Sequence, residues 1–196
     1  MSNIARGGFR PLHPGMHKAR RYEVDSGVGT AIFPGDCVTL VTAGTVQAAS
    51  AGGADLIIGV VAACSFVNSS NQRVYGSHIP AGTTYSPTSR GSRNASYAWV
   101  WDDPEIEYVA AVSGTNTAAT VYAMVGANAD ILATAGDTVY RRSNHQIDGA
   151  SVNTGTLRFR ILDILRDPAQ DLTSANWRAI VKINEGQDPM FSQAGI

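Results

Sequence analysis

Hydrophobic and polar residues alternate along much of this chain with a period of two, the spacing at which successive side chains of a β-strand face opposite sides. The pattern is clearest over residues 35–61, which follow a turn at Pro34-Gly35-Asp36. One alternating strand covers residues 38–41, and a partner strand opens at Val46. Residues 56–61 form a continuous apolar run, rich in β-branched side chains and too short for a globular helix. We therefore predict a three-stranded meander whose last strand is buried.

The same pattern recurs through the rest of the chain. It predicts strands around 22–33, 72–79, 97–101, 106–112, 157–164 and 177–183, with a bulge where the apolar phase shifts after Ile161. Residues 121–125 fit either a short strand or a helical turn, and residues 126–135 are predicted to be a loop. Short strands separated by glycine-rich turns, without a long amphipathic helix, indicate an all-β protein. We predict a compact β-barrel or sandwich of short antiparallel strands with an extended N-terminal arm.

The organisation along the chain follows from the same reading. Residues 1–21 form the predicted arm, residues 22–186 the β domain, with a possible subdomain around 83–150, and residues 187–196 a C-terminal tail. The arm has no hydrophobic period, contains several glycines and prolines, and has no acidic residue before Glu23. It is either a tether that docks on an acidic or polar protein surface or a solvated disordered terminus. The residues assigned to a docking role are Arg6, Phe9, Arg10, Leu12, Met16, Lys18, Arg20 and Arg21.

Composition narrows the class of protein further. The formal net charge of -1 argues against a globally basic nucleic-acid binder, so no direct nucleic-acid partner is predicted. No apolar run reaches the roughly 18 residues of a membrane span, and residues 1–9 lack the apolar core of a signal peptide. Cys37 and Cys64 both lie in predicted strands, where they are either buried thiols or a disulfide; their spacing does not decide between the two.

Candidate chemistry is sparse. An acidic cluster near the end of a strand has the residue types that bind a cation or act as acid and base, although a strand-terminating turn explains them as well. His145 and Asp148 are the best candidates for a hydrolase, but no nucleophile elbow, phosphate-binding loop or dinucleotide fingerprint accompanies them. We predict no catalytic, cofactor or metal site. The residues of the acidic cluster are Asp102, Asp103, Glu105 and Glu107.

Three aromatic side chains, Tyr97, Trp99 and Trp101, share one face of a predicted strand, with small residues on the other face. At strand spacing such a stripe is typical of a core or a subunit interface. The alternative is a platform on which a sugar or base stacks, as in a carbohydrate-binding β-module.

A series of short segments gives the chain a resemblance to a known family. The segments, in order, are 24–26, 29–41, 57–60, 63–66, 79–83, 100–104, 106–109, 125–130, 159–163 and 181–185. Their order and spacing resemble the head decoration (cement) proteins of tailed bacteriophages, of the type common in marine and cyanobacterial phages. The arm and the tail after Gly186 lie outside this resemblance.

The resemblance implies a virion structural protein made in the host bacterial cytoplasm. Such a protein would bind the outer surface of the icosahedral capsid, contact the major capsid protein, and stabilise the contacts between its subunits. It would act as a homo-oligomer, a trimer or else a dimer, without catalytic activity and without a cofactor. The alternatives are a head-tail connector or tail structural protein, a carbohydrate-binding β-module, and a hydrolase that uses His145 and Asp148.

Overall fold

The computed structural model describes residues 7–41, 44–52, 55–68, 70, 72–83 and 95–184. Arg6, the C-terminal tail at 187–196 and most of the loop that begins the predicted subdomain lie outside the described residues. The all-β prediction is confirmed, because the described strands form two sheets. The strands are β1 (Arg10–Pro11), β2 (Arg20–Glu23), β3 (Cys37–Leu40), β4 (Val46–Ala48), β5 (Ile57–Val67), β6 (Arg73–Gly76), β7 (Tyr97–Trp101), β8 (Glu107–Val112), β9 (Asn128–Ala129), β10 (Ile131–Leu132), β11 (Gln146–Ile147), β12 (Phe159–Ile164) and β13 (Trp177–Ile183).

The first sheet curves into a nearly closed barrel. Its order is β10-β11-β8-β13-β12-β9, and β1 pairs with β8 outside this path. The two end strands, β9 and β10, are separated along the chain by Asp130 alone, so the sheet returns towards its own edge. Its longest ladder joins β13 to β8 from Trp177 opposite Val112 to Lys182 opposite Glu107. The predicted bulge is confirmed, since the register between β12 and β13 shifts after Ile161.

The second sheet contains the three strands predicted over residues 38–61, but they do not form the predicted meander, because β3 pairs with both β4 and β5 and lies between them. Its order is β2-β7-β5-β3-β4, and β6 pairs with the second half of β5. The first half of β5 is buried on both faces, because Val60 belongs to the barrel core while Val61 belongs to a second, smaller core. Gly59 lies where β5 contacts β7, and a Cβ there would overlap the carbonyl oxygen of Trp101 and lie 2.7 Å from Val100 Cγ1. The apolar run at 56–61 is thus a strand inside the protein, as the sequence predicts.

Two short segments are settled by the structure. Residues 118–123 form a helix, α1 (Ala118–Ala123), whose first turn is capped by Thr117, because its Oγ1 accepts a hydrogen bond from the Thr120 amide at 3.2 Å. The prediction of a loop over 126–135 is wrong, since β9 and β10 lie within it. These strands are two residues long, so pairing with distant strands defines them rather than any local pattern. Within the described residues, no helix is long and apolar enough to cross a membrane.

The described part of the N-terminal arm is built into both sheets. β1 pairs with β8, and β2 forms an edge of the second sheet beside β7. Phe9 is completely buried in the barrel core, where its ring stacks on Phe159 with centroids 4.8 Å apart. The Phe9 amide donates a hydrogen bond to the Gly35 carbonyl at 2.9 Å. The chain from Phe9 onward is therefore part of the folded domain.

Candidate functional site

The aromatic strand β7 turns its small residues inward. Ala98 and Val100 are completely buried in the second core, while Tyr97, Trp99 and Trp101 are each partly exposed on the opposite face. Trp101 packs against the barrel core. Trp99 and Tyr97 lie further along the strand, at successive steps of about 7 Å. The predicted stripe exists, and it runs from the edge of the barrel core towards solvent.

Neighbouring strands extend this stripe into a surface. Side chains that pair directly across two antiparallel strands lie on the same face of the sheet. Trp99 pairs with Arg21 on β2, and Tyr97 pairs with Ser65 on β5, which in turn pairs with Tyr75 on β6. We call this set the aromatic–arginine face; it consists of Arg21, Arg73, Tyr75, Tyr97 and Trp99, of which Arg21 and Tyr75 are exposed and the other three are partly exposed.

The arginines of this face are held by the aromatic rings. The guanidinium groups of Arg21 and Arg73 lie 4.6 and 5.0 Å from the centroid of the Tyr97 ring. Each such contact contributes roughly 0.5–1 kcal/mol at an exposed site. Arg73 is fixed further, because its Nη1 donates to Ser65 Oγ and its Nη2 to the Ala95 carbonyl, both at 3.0 Å. Arg73 is therefore held in position before any partner binds, and the Tyr97 ring favours one position of Arg21.

Tyr75 and Trp99 form an aromatic pair at the edge of the aromatic–arginine face. Tyr75 is 76% exposed, and its ring centroid lies 6.4 Å from that of Trp99 at an angle of 34° between the planes. Tyrosine, tryptophan and arginine are the side chains enriched at the energetic centres of protein interfaces. A group of aromatic rings with adjacent cations can bind an acidic protein surface, and its rings can stack on sugars.

The structure separates the arm residues that the sequence groups together. Phe9 is buried, Leu12 is partly buried beside β8, and Met16 is 79% exposed after a short 3-10 helix. Arg10, Lys18, Arg20 and Arg21 are exposed. Of this set, Arg21 lies on the same surface as the β7 aromatics.

Sequence reasoning missed two members of the face, Arg73 and Tyr75. Both lie on β6, which the sequence predicts as a strand, and alternation alone places them on one side of it. The side that faces solvent depends on the pairing of β6 with β5, in which Tyr75 lies opposite Ser65. The connection between β5 and β6 is only five residues long, so this register is local, but which face of β6 is left uncovered is set by tertiary structure.

The acidic cluster is used in ion pairs and a turn. Asp102 Oδ2 accepts a hydrogen bond from the Tyr22 hydroxyl at 2.6 Å and lies 3.1 Å from Arg20 Nη1. Glu105 pairs with Lys182 Nζ at 2.9 Å. Burial, followed by the neighbouring Asp102 carboxylate, raises the pKa of Tyr22. Among the residues that the structure describes, no three metal-ligating side chains cluster together.

The pairing of His145 with Asp148 that a hydrolase would use is not formed. His145 is buried, its Nδ1 accepts a hydrogen bond from the Cys37 amide at 3.2 Å, and its Nε2 lies 3.6 Å from Asp36 Oδ1. Asp148 instead lies beside Ser113, with 3.5 Å between Oδ1 and Oγ. The imidazole nitrogen that an orienting carboxylate would occupy is taken by a backbone amide, which is not the arrangement of a catalytic triad. Burial lowers the pKa of His145 and raises that of Asp36.

The two cysteines are buried free thiols, one of the two states that the sequence leaves open. Burial raises the pKa of the Cys64 thiol to about 12 and raises that of Cys37 well above its ordinary value. Since the thiolate is the reactive form, both side chains act as small core residues.

Comparison with known proteins gives little further information. No protein-family model matches the chain, and no curated protein matches it. Among solved structures, the chain aligns with the C-terminal fragment of bacteriophage phi29 gene product 12. The alignment covers 84% of this chain and 98% of that chain, with 15% sequence identity and a TM-score of 0.35. A TM-score of this size does not establish a common fold.

Proposed function

We propose that this protein is a decoration protein of a tailed bacteriophage, which binds the outer surface of the icosahedral capsid and stabilises contacts between major-capsid-protein subunits. The structural observation that supports the proposal is the aromatic–arginine face. It is an accessible surface of side chains that are typical of protein interfaces, in contact with one another on a β domain. The ordered series of segments that resembles phage cement proteins supplies the class of partner.

The physical role is adhesion. A protein that binds the assembled capsid and not its dissociated subunits stabilises the assembled state by mass action. A homo-oligomer, a trimer or else a dimer, would engage several capsid subunits at once and so gain avidity without new contacts at each site. The further proposed contacts to the capsid are the arm residues Arg6, Arg10, Leu12, Met16, Lys18, Arg20 and Arg21. Phe9 is excluded from this set because it is buried within its own domain.

The test is binding of the purified protein to expanded, undecorated heads of the source phage. We expect the wild-type protein to saturate the heads with a copy number set by the capsid lattice. A Tyr75→Ala, Trp99→Ala double variant should bind more than about tenfold more weakly. Tyr122→Ala, which removes a tyrosine that is 62% exposed on α1, is the matched control.

The outcomes separate the alternatives within the virion. Wild-type protein that fails to bind the heads contradicts the proposal. Binding restricted to the vertex that carries the tail, at a copy number set by that vertex, would identify a head-tail connector or a tail structural protein. Equal binding by the double variant would mean that the aromatic–arginine face is not the capsid contact.

The exposed Tyr75 and the partly exposed Trp99 beside it also favour a second candidate function, a carbohydrate-binding module, because sugar rings stack on accessible aromatic faces. A glycan array tests this candidate directly. Binding of a defined glycan that is lost in Trp99→Ala and retained in Tyr122→Ala would support it. An array on which wild-type protein binds no glycan would reject it.

A further inference from the structure

A tight hairpin loop protrudes from the domain at residues 137–142, which we call the 137–142 hairpin. The backbones of Asp137 and Arg142 exchange two hydrogen bonds, of 2.8 and 3.0 Å, which close the loop at its base. All of residues 138–142 are exposed. Val139 and Tyr140 at the tip are 81% and 69% exposed, so two sizeable apolar side chains point into solvent from one short loop.

The 137–142 hairpin is held in one conformation by its own side chains. Asp137 Oδ1 accepts hydrogen bonds from the amides of Val139 at 2.8 Å and Tyr140 at 3.0 Å. The Arg142 guanidinium lies 5.3 Å from the centroid of the Tyr140 ring. Just outside the loop, Asn144 Nδ2 donates to the Ala135 carbonyl at 2.9 Å. A loop fixed before binding loses less conformational entropy when a partner binds it.

The charges of the hairpin have one sign on the outside. Arg141 and Arg142 are exposed beside the apolar tip, whereas the carboxylate of Asp137 is turned towards the loop amides. Tyrosine and arginine are also the side chains most enriched among interface residues that dominate binding energy. An apolar tip flanked by two cations fits an apolar depression that is lined by acidic side chains.

The hairpin adjoins the aromatic–arginine face. Arg141 Nη1 lies 3.4 Å from Ser77 Oγ, and Ser77 follows Tyr75 by two residues along the chain. A single partner that covers Tyr75 and Trp99 can therefore reach the hairpin as well. The two features carry the same combination of exposed aromatic rings and arginines.

We propose that the 137–142 hairpin is a preformed docking element, which inserts Val139 and Tyr140 into an acidic, apolar depression on the major capsid protein. The identity of this partner rests on the proposed function. The rigid loop supplies shape, the two tip residues supply apolar area, and the two arginines supply electrostatic complementarity.

The experiment measures binding of purified variants to expanded, undecorated heads of the source phage, after each variant has been shown to melt like wild type. We expect Tyr140→Ala to bind more than about tenfold more weakly, whereas Tyr122→Ala binds as wild type does. Arg141→Gly should bind more weakly and with a smaller dependence on salt, since it removes one positive charge. Glycine keeps the backbone geometry there, because Arg141 has a φ of 54°. Arg166→Ser, at another exposed arginine, is its matched control.

A last pair of variants tests whether rigidity of the hairpin contributes. Asp137→Ala should weaken head binding, because the amides of Val139 and Tyr140 lose their acceptor, while Asp137→Asn keeps an acceptor oxygen and should bind nearly as wild type does. If wild-type protein binds the heads but Tyr140→Ala binds equally well, the hairpin inference is wrong and the proposed function stands. An unchanged salt dependence in Arg141→Gly would refute the acidic partner site. Wild-type protein that does not bind heads refutes the proposed function itself.

Discussion

Phe9 offers the sharpest test of how the N-terminal segment contributes to stability. The residue lies in a glycine-rich and proline-rich stretch that the sequence predicts as an arm, yet its side chain is completely buried and stacks on Phe159. Replacing it with alanine removes a full aromatic ring from the barrel core. Such Phe→Ala changes cost about 3–5 kcal/mol in unfolding free energy, from lost burial and from the cavity left behind. We expect Phe9→Ala to fall in this range.

Urea unfolding followed by circular dichroism and by tryptophan fluorescence measures the effect. If the two transitions coincide and the m-value is unchanged, the decrease in the urea midpoint measures a loss of unfolding free energy. Met16→Ala, seven residues further along the same segment, is the matched control, and its exposed side chain predicts a change within about 0.5 kcal/mol. A loss below about 1 kcal/mol in Phe9→Ala would refute the placement of this segment in the core. Since Phe9 is part of the core, deleting residues 1–20 should also destabilise the fold.

Three further predictions concern the core and its titratable groups. Trp177→Ala should cost about 3–5 kcal/mol in unfolding free energy, because the Trp177 side chain is completely buried. Trp99→Ala should cost less than half as much, because the Trp99 side chain is partly exposed. Equal losses in the two variants would contradict the exposure of the β7 stripe. Gly59→Ala should destabilise the protein by about 2 kcal/mol or more, since the new Cβ would overlap a backbone carbonyl oxygen. Gly29→Ala is the control: its Cβ would have no atom within 4 Å, so stability should change by less than about 1 kcal/mol. Comparable thermal shifts in the two variants would contradict this prediction. Burial lowers the pKa of His145 in the folded protein below its ordinary value of 6.5, so unfolding takes up a proton and the contribution of His145 to stability falls as pH drops below about 6.5. Melting temperatures at pH 7.5 and 5.5 should therefore differ less in His145→Asn, and an equal difference in both proteins would refute this account.

The sequence could predict much of the fold and little of the site. The alternation at 177–183 and the apolar run at 56–61 are local signals, and both are strands in the structure. The stripe on β7 is likewise local, since its side chains alternate with those of Ala98 and Val100. Alternation does not determine which face of a strand is buried. The structure shows that the small residues of β7 are the buried ones.

The aromatic–arginine face depends on strand register between distant segments. Arg21 and Tyr97 lie 76 residues apart along the chain and meet because β2 pairs with β7. Tyr75 joins them through the pairing of β6 with β5. The 137–142 hairpin adjoins the same surface through a contact between Arg141 and Ser77, 64 residues apart. None of these neighbours is encoded within a window of ten residues.

The sequence by itself determined that this chain forms short strands and that the apolar run at 56–61 is a buried strand, because period-two alternation and β-branched runs act within a few residues. Tertiary structure alone decided that Phe9 is core rather than tether, that β9 and β10 exist, and that Tyr75, Trp99 and two arginines share one exposed surface. The physical reason is that burial and register are properties of partners brought together by folding. The sequence of a strand sets its period of two, whereas the face that is exposed to solvent depends on what packs against the opposite face.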